Sequence, residues 1–186
     1  MKKPAAHKPG DLSPKQSIER MIRVDHAGEY GAMRIYQGQL AVLGKSTDGP
    51  VIAEMAEQEA EHLEIFKKLV IERQVRPTAL LPLWHLAGFA LGAGTALLGK
   101  RAAMACTIAV EEVIDEHYTR QADSLKTVSG DEETELHDTF VRIGEEEQDH
   151  RNTAINHGGQ EAPGYGMLSS SIKTGTRLAI WLSERI

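Results

Sequence analysis

The arrangement that most constrains this chain is a short acidic pattern that occurs twice: a lone glutamate and, further along, Glu-x-x-His. The first copy is Glu29 with Glu59-Ala60-Glu61-His62, the second Glu111 with Glu147-Gln148-Asp149-His150. Residues three apart on an α-helix share a face, so each Glu/His pair points two polar groups at one spot. One Glu-x-x-His arises readily on a solvated helix face. Two copies, each preceded by a helix with a further glutamate in an apolar setting such as Ile108-Ala109-Val110-Glu111, ask for a common cause. The repeat also runs deeper. Tyr36 and Tyr118 each lie seven residues, or two turns, after Glu29 and Glu111, and an acidic residue, Glu61 or Asp149, precedes each histidine. Two related helical hairpins facing each other across a pseudo-twofold axis account for these matches.

Four such helices supply four carboxylates and two imidazoles, the inventory of the dinuclear carboxylate sites of ferritin-like four-helix bundles. The expected metal ligands are therefore Glu29, Glu59, His62, Glu111, Glu147 and His150. Two divalent cations would neutralise the four carboxylates, whose uncompensated burial is strongly unfavourable. By ligand type, iron and manganese both fit. Glu54, Glu57, Glu64, Glu72, Glu132, Glu133 and Glu135 read as solvated helix faces, while Glu112 and Glu116 fit either description. His26 and His117, one and about two turns from Glu29 and Glu111, read equally as hydrogen-bond partners behind the ligands or as packing. His7, His85, His137 and His157 carry no assigned chemistry. Cys106 is the only cysteine, which excludes an internal disulfide and a thiolate cluster, and it reads as a small core residue. Gly144, one turn before Glu147, leaves room beside the metals or serves helix packing.

At 186 residues the chain suits one domain, and the pattern predicts an all-α fold: a ferritin-like four-helix bundle with a long apolar crossover between helices two and three and an extra C-terminal helix. Residues 1–16 read as a mobile arm that is neither a signal peptide nor a transit sequence. Ser13-Pro14-Lys15-Gln16 is a capping box opening a helix to about Gly44. Helix two runs from Gly49-Pro50 to about Gln74, helix three from Lys100 to Lys126. Ser129-Gly130-Asp131-Glu132 offers a second capping box, and helix four continues through His150 to Gly158-Gly159. Residues 17–160 would form the bundle and 161–186 a C-terminal loop and amphipathic helix. A net charge of -6 gives no general attraction for nucleic acid.

Residues 77–99 contain no Asp, Glu, Lys or Arg. They are long enough to span a bilayer, yet spanning would leave the two halves of the metal pattern on opposite sides. A crossover the length of the bundle fits instead. Its leucines, with Trp84 and Phe89, exceed what a connecting helix needs, and point to a membrane interface or a lipid pocket. Residues 172–186, with Trp181 among basic neighbours, suit the same surface.

Three strings are similar to one known family: Arg23-Val24-Asp25-His26-Ala27-Gly28-Glu29-Tyr30-Gly31-Ala32, the crossover from Leu81-Pro82-Leu83-Trp84 through Gly88-Phe89-Ala90-Leu91-Gly92-Ala93-Gly94, and Ala103-Met104-Ala105-Cys106-Thr107 leading to Val110-Glu111-Glu112. They resemble demethoxyubiquinone hydroxylase, the ferritin-like di-iron monooxygenase of ubiquinone biosynthesis, over roughly residues 17–165. The resemblance implies two iron ions per chain, Glu59 and Glu147 bridging, Glu29 and Glu111 more terminal, and His62 and His150 one on each ion. It also implies dioxygen as co-substrate, a membrane-embedded polyprenyl quinol as substrate, and electrons from NADH or a reduced quinol. Tyr118 and His117 match positions near the substrate pocket and the electron or proton route. A peripheral enzyme follows, on the cytoplasmic face of a bacterial membrane or on the mitochondrial inner membrane, touching lipid through 77–99 and 172–186, with a lipid-binding protein of quinone biosynthesis as a further partner. The rival readings are an iron- or peroxide-handling protein, an oxygenase of another lipid, and a scaffold that keeps its metals for structure.

Overall fold

Ser13 opens the first helix as its neighbours predict. The backbone N–H of Gln16 donates to Ser13 Oγ at 3.2 Å, and the Ser13 N–H donates to the Gln16 side chain at 2.9 Å, so two of the otherwise unpaired donors of the helix start are satisfied. The computed structural model describes residues 12–186 and contains six α-helices: α1 (Pro14–Leu43), α2 (Gly49–Glu72), α3 (Leu81–Leu97), α4 (Lys100–Ser129), α5 (Thr134–Asn156) and α6 (Tyr165–Ser183). No strand occurs among the described residues. Residues 1–11 of the expected arm lie outside them, and Pro14–Gln16, also assigned to that arm, are already helical. The second expected capping box does not form. Ser129 Oγ donates instead to the Leu125 carbonyl at 2.9 Å, and Gly130–Glu133 make a 3-10 turn before α5. Asp48, next to the start of α2, caps nothing with its side chain; it accepts from Lys100 at 3.2 Å and pairs with His157 at 3.1 Å, tying the α1–α2 turn to the start of α4 and the end of α5.

The four longest helices form an all-α, ferritin-like bundle in which α1 packs on α2, α4 on α5, and α1 on α4. What the sequence presents as a crossover and an extra helix are counterparts: α3 lies along α1, and α6 lies along α4. The chain is thus two three-helix halves rather than two hairpins with appendages. α3 reaches α1 so closely that a Cβ on Gly92 would collide with the Ile35 carbonyl, and one on Gly38 with the Phe89 carbonyl. Hence Gly88 and Gly92 of the crossover serve backbone approach, while a Cβ on Gly94 would meet nothing. The start of α3 is pinned to the chain end by Trp84 Nε1 donating to Ser183 Oγ at 3.0 Å and Ala79 N–H to Ile186 O at 3.2 Å.

Between the halves, Phe66, Phe140 and Tyr118 form a ring cluster with centroids 6.0 to 6.4 Å apart. Gly144 lets Tyr118 in, since a Cβ there would stand 3.3 Å from the Tyr118 Cβ. Its role is packing. Glu112 and Glu116 also resolve as structural: they pair with Lys173 and Arg177, the latter at 3.1 Å, and hold α6 on α4.

Candidate metal centre

All six expected ligands converge in the bundle interior, each almost wholly buried: Glu29 from α1, Glu59 and His62 from α2, Glu111 from α4, Glu147 and His150 from α5. They sort into two groups whose ligating atoms lie within 4.8 Å of one another: Glu29, Glu59, His62 and Glu147, and Glu59, Glu111, Glu147 and His150. Glu59 and Glu147 belong to both. One Glu147 oxygen lies 3.1 Å from His62 Nδ1 and the other 3.0 Å from His150 Nδ1, so this carboxylate spans the two groups.

The surroundings cross between the halves. Tyr118 on α4 donates to Glu29 on α1, and Tyr36 on α1 donates to Glu111 on α4 at 3.1 Å. The tyrosines therefore serve the glutamate of the opposite half, although each follows its own half's glutamate by two turns. Gln58 and Glu146, each one residue before a glutamate shared by both groups, do the same for the imidazoles. His150 Nε2 meets Gln58 Oε1 at 2.6 Å, and His62 Nε2 meets Glu146 Oε2 at 2.7 Å. Sequence reasoning marked Tyr36 as part of the repeat without giving it a role, and overlooked Gln58 and Glu146. His117 is buried and pairs through Nε2 with Asp25 at 3.0 Å, on the Glu29 side. His26 makes no such link; its Nδ1 is buried without a partner, and burial, with the nearby Lys67, lowers its pKa. It is a packing residue.

Several buried oxygens here have no hydrogen-bond donor: Glu29 Oε2, both oxygens of Glu59, and Glu111 Oε2. His150 Nδ1 lies 3.1 Å from Glu59 Oε1 as well, but a ring nitrogen carries one proton and cannot serve both Glu59 and Glu147. Unpaired carboxylate oxygens at this depth are costly, and an oxygen-rich set with two imidazoles is what divalent iron or manganese requires. The residues present therefore fit a pair of cations.

Protonation in the cation-free centre follows from the same crowding. Burial, then the charges of Glu147 and its partners, hold Glu59 and Glu111 well above the usual carboxylate range. Glu147 goes the other way: burial opposes its ionisation, but hydrogen bonds from His150 and His62 prevail and bring it down to about 2. Burial would lower His62, yet the carboxylates of Glu147 and Glu29 push it up to about 12, and His150 rises for the same reason. Asp25 is raised by burial to about 6, against the pull of His117. Cations must therefore displace protons. Groups raised in the folded state lose their stabilising effect as pH climbs from the unfolded toward the folded value, while depressed Glu147 contributes fully above its unfolded value of about 4.5. Above that point all these effects run downward, at about 1.4 kcal/mol per pH unit for each proton held only by the folded state. Chelated protein is expected to melt at a higher temperature near pH ~5.5 than near ~8.5, with metal loading flattening the trend; a melt that rises with pH in the chelated protein would contradict this protonation scheme.

Next to the centre is an apolar cavity of about 320 Å³ bounded by α1, α3, α4 and α6. Gly28 and Val110, which precede Glu29 and Glu111, line it, as do Ala32 and Ile114, one turn beyond them; Leu91 and Ile180 face them from α3 and α6. Among the described residues no helix is long and apolar enough to cross a membrane, but α3 and α6 carry exposed apolar side chains, including Leu83, Leu86, Leu178 and Trp181.

Comparison with known proteins agrees with this architecture. Residues 16–183 match the family described as ubiquinone biosynthesis protein COQ7. The chain is 55% identical over 179 residues to a 3-demethoxyubiquinol 3-hydroxylase of Rhodospirillum rubrum, covering 96% of this chain and 82% of that protein. It is 51% identical over 176 residues to the NADPH-dependent 3-demethoxyubiquinone 3-hydroxylase, mitochondrial, of Homo sapiens, covering 95% and 81%. With the 5-demethoxyubiquinone hydroxylase, mitochondrial, of Saccharomyces cerevisiae the identity is 41% over 191 residues, covering 95% and 82%. A two-half helical bundle closed around paired Glu/His groups, matched over nearly its whole length, belongs to the COQ7 family of ubiquinone biosynthesis proteins.

Proposed function

We propose that this chain is a di-iron monooxygenase that hydroxylates a demethoxyubiquinol, a polyprenylated methoxy-methyl-benzoquinol, on its unsubstituted ring carbon. The observation that carries the reading is a buried pair of Glu/His groups that share Glu59 and Glu147, beside an apolar cavity lined by Gly28 and Val110, the residues preceding Glu29 and Glu111. Glu29, Glu59, His62 and Glu147 would hold one ion, and Glu59, Glu111, Glu147 and His150 the other. When bound, the iron pair supplies the oxygen-activating redox chemistry; one oxygen atom enters the ring and the other leaves as water, which requires two electrons and two protons. Electrons come from a reduced nicotinamide, as the names of the mitochondrial relatives indicate for those proteins, or from a reduced quinol.

The chain's own residues do the rest. Tyr118 and Tyr36 fix Glu29 and Glu111 by donating to them, and burial keeps both phenols protonated, well above their usual range. Asp25 and His117 form a buried hydrogen-bonded pair on the Glu29 side of the centre, which would serve as a proton route. The apolar cavity walls would hold the ring close to the metals. A space of about 320 Å³ is at the lower end of small-molecule sites and suits one substituted ring. A long isoprenoid tail must therefore leave between α3 and α6, whose exposed apolar residues would rest in the membrane interface as a peripheral attachment. A lipid-binding protein that presents the quinol fits the same face.

The test is expression in a bacterial strain lacking this hydroxylation, with extraction and mass analysis of its quinones. Conversion of the demethoxy intermediate to ubiquinone is the expected result; persistence of the intermediate beside well-expressed, two-iron protein would reject the substrate. For the membrane face, the wild type is expected to sediment with liposomes and Leu83→Glu/Leu86→Glu to stay in the supernatant with its metal content intact. Equal sedimentation of both would remove α3 from the interface.

A further inference from the structure

We infer that the two halves of the centre are built to hold their ions unequally, the Glu29–Glu59–His62–Glu147 group more tightly, because Glu146 stands behind His62 where only Gln58 stands behind His150. The inference rests on the metal-centre reading above and turns on Gln58 and Glu146, to which that reading gives no role.

The pseudo-twofold makes the comparison direct. Around the centre the crossed tyrosine contacts are matched, Tyr36 to Glu111 and Tyr118 to Glu29. The outer contacts of the imidazoles are also matched in position and length, 2.7 and 2.6 Å, but differ in charge. With Nδ1 of each ring turned to the carboxylates, Nε2 carries the proton and donates outward, so the acceptor behind it fixes the tautomer and ring orientation. For His150 that acceptor is the neutral amide oxygen of Gln58. For His62 it is the carboxylate of Glu146, itself held by Arg142 one turn earlier at 3.0 Å to both oxygens. A carboxylate draws on the Nε2 proton more strongly than an amide and makes Nδ1 the more basic ligand. A further carboxyl, Asp25, lies on the Glu29 side, where its counterpart in the repeat is Thr107. Both differences favour a cation in the same half. Glu146 is half-exposed and Gln58 exposed, so changing either leaves the core untouched.

The experiment titrates chelated, full-length protein with Co²⁺ without oxygen, following the cobalt absorption bands. Wild type is expected to bind in two resolved steps, and His150→Ala to retain the tighter one. Glu146→Gln keeps the shape and the hydrogen bond and removes only the charge; it is expected to weaken the first step about 10- to 100-fold and shift its bands. Gln58→Glu should tighten the second step. The exchanged pair, Gln58→Glu with Glu146→Gln, should restore two steps with the tighter one now surviving His62→Ala instead of His150→Ala. Two ions bound in one step by wild type, or an unchanged first step in Glu146→Gln, would overturn the inference while leaving the metal centre standing. No Co²⁺ uptake by folded wild type would overturn the metal-centre reading and this inference with it.

Discussion

Glu147→Ala is expected to empty both metal groups at once and to abolish hydroxylation, by about 10³-fold or more, since a metal contributes several kcal/mol to stabilising developing charge. The expectation comes from where its two oxygens lie, one 3.1 Å from His62 Nδ1 and the other 3.0 Å from His150 Nδ1. No other described residue is this close to both imidazoles. Glu111 belongs to one group only, so Glu111→Ala should lose one ion and keep the other. A cavity left by alanine could itself loosen the bundle; Glu147→Gln preserves the volume and withdraws the charge, and should lose metal just as fully. Metal analysis of the purified variants, beside quinone mass analysis in the complemented strain, reads both effects. Two ions retained in Glu147→Gln would remove this residue from the centre.

The six converging residues were legible because helix periodicity and duplication act within one helix at a time. Glu59 with His62, and Glu147 with His150, share a face whatever the rest of the chain does. What surrounds them was not legible, because it depends on how one half is set against the other. Tyr36 and Tyr118 stand out as repeats, yet nothing in the spacing says that each would serve the opposite half's glutamate. Gln58 and Glu146 look like solvated positions, which they partly are, and only the packing of α2 near α5 brings them to the imidazoles. Composition marked α3 as too apolar for a simple connector. That α6 is its structural counterpart could not be read, since the two sequences share little beyond an apolar side and a tryptophan. Ser129 fails as a cap for a related reason: the local signal was overridden by a bond to the Leu125 carbonyl.

The glycines separate in the same way. Gly38 and Gly92 are needed where backbones touch, but a Cβ on Gly28, Gly31 or Gly175 would meet nothing within 4 Å. All three lie inside helices, where glycine costs about 1 kcal/mol relative to alanine, and all three line the cavity. Helix stability has been given up to keep that space open. Gly28→Leu is expected to fold and keep both ions, because its side chain enters the cavity rather than the ligand set. It should nevertheless lose hydroxylation by at least about 10²-fold, as misplacement of a substrate by an ångström already costs that much. Gly28→Ala should sit between, slightly more stable than wild type and slower. The readouts are metal content, melting temperature and the ratio of demethoxy intermediate to ubiquinone. Full conversion by a two-iron Gly28→Leu protein would mean that the ring approaches the metals from another side, and the exposed apolar faces of α3 and α6 would then need a different explanation.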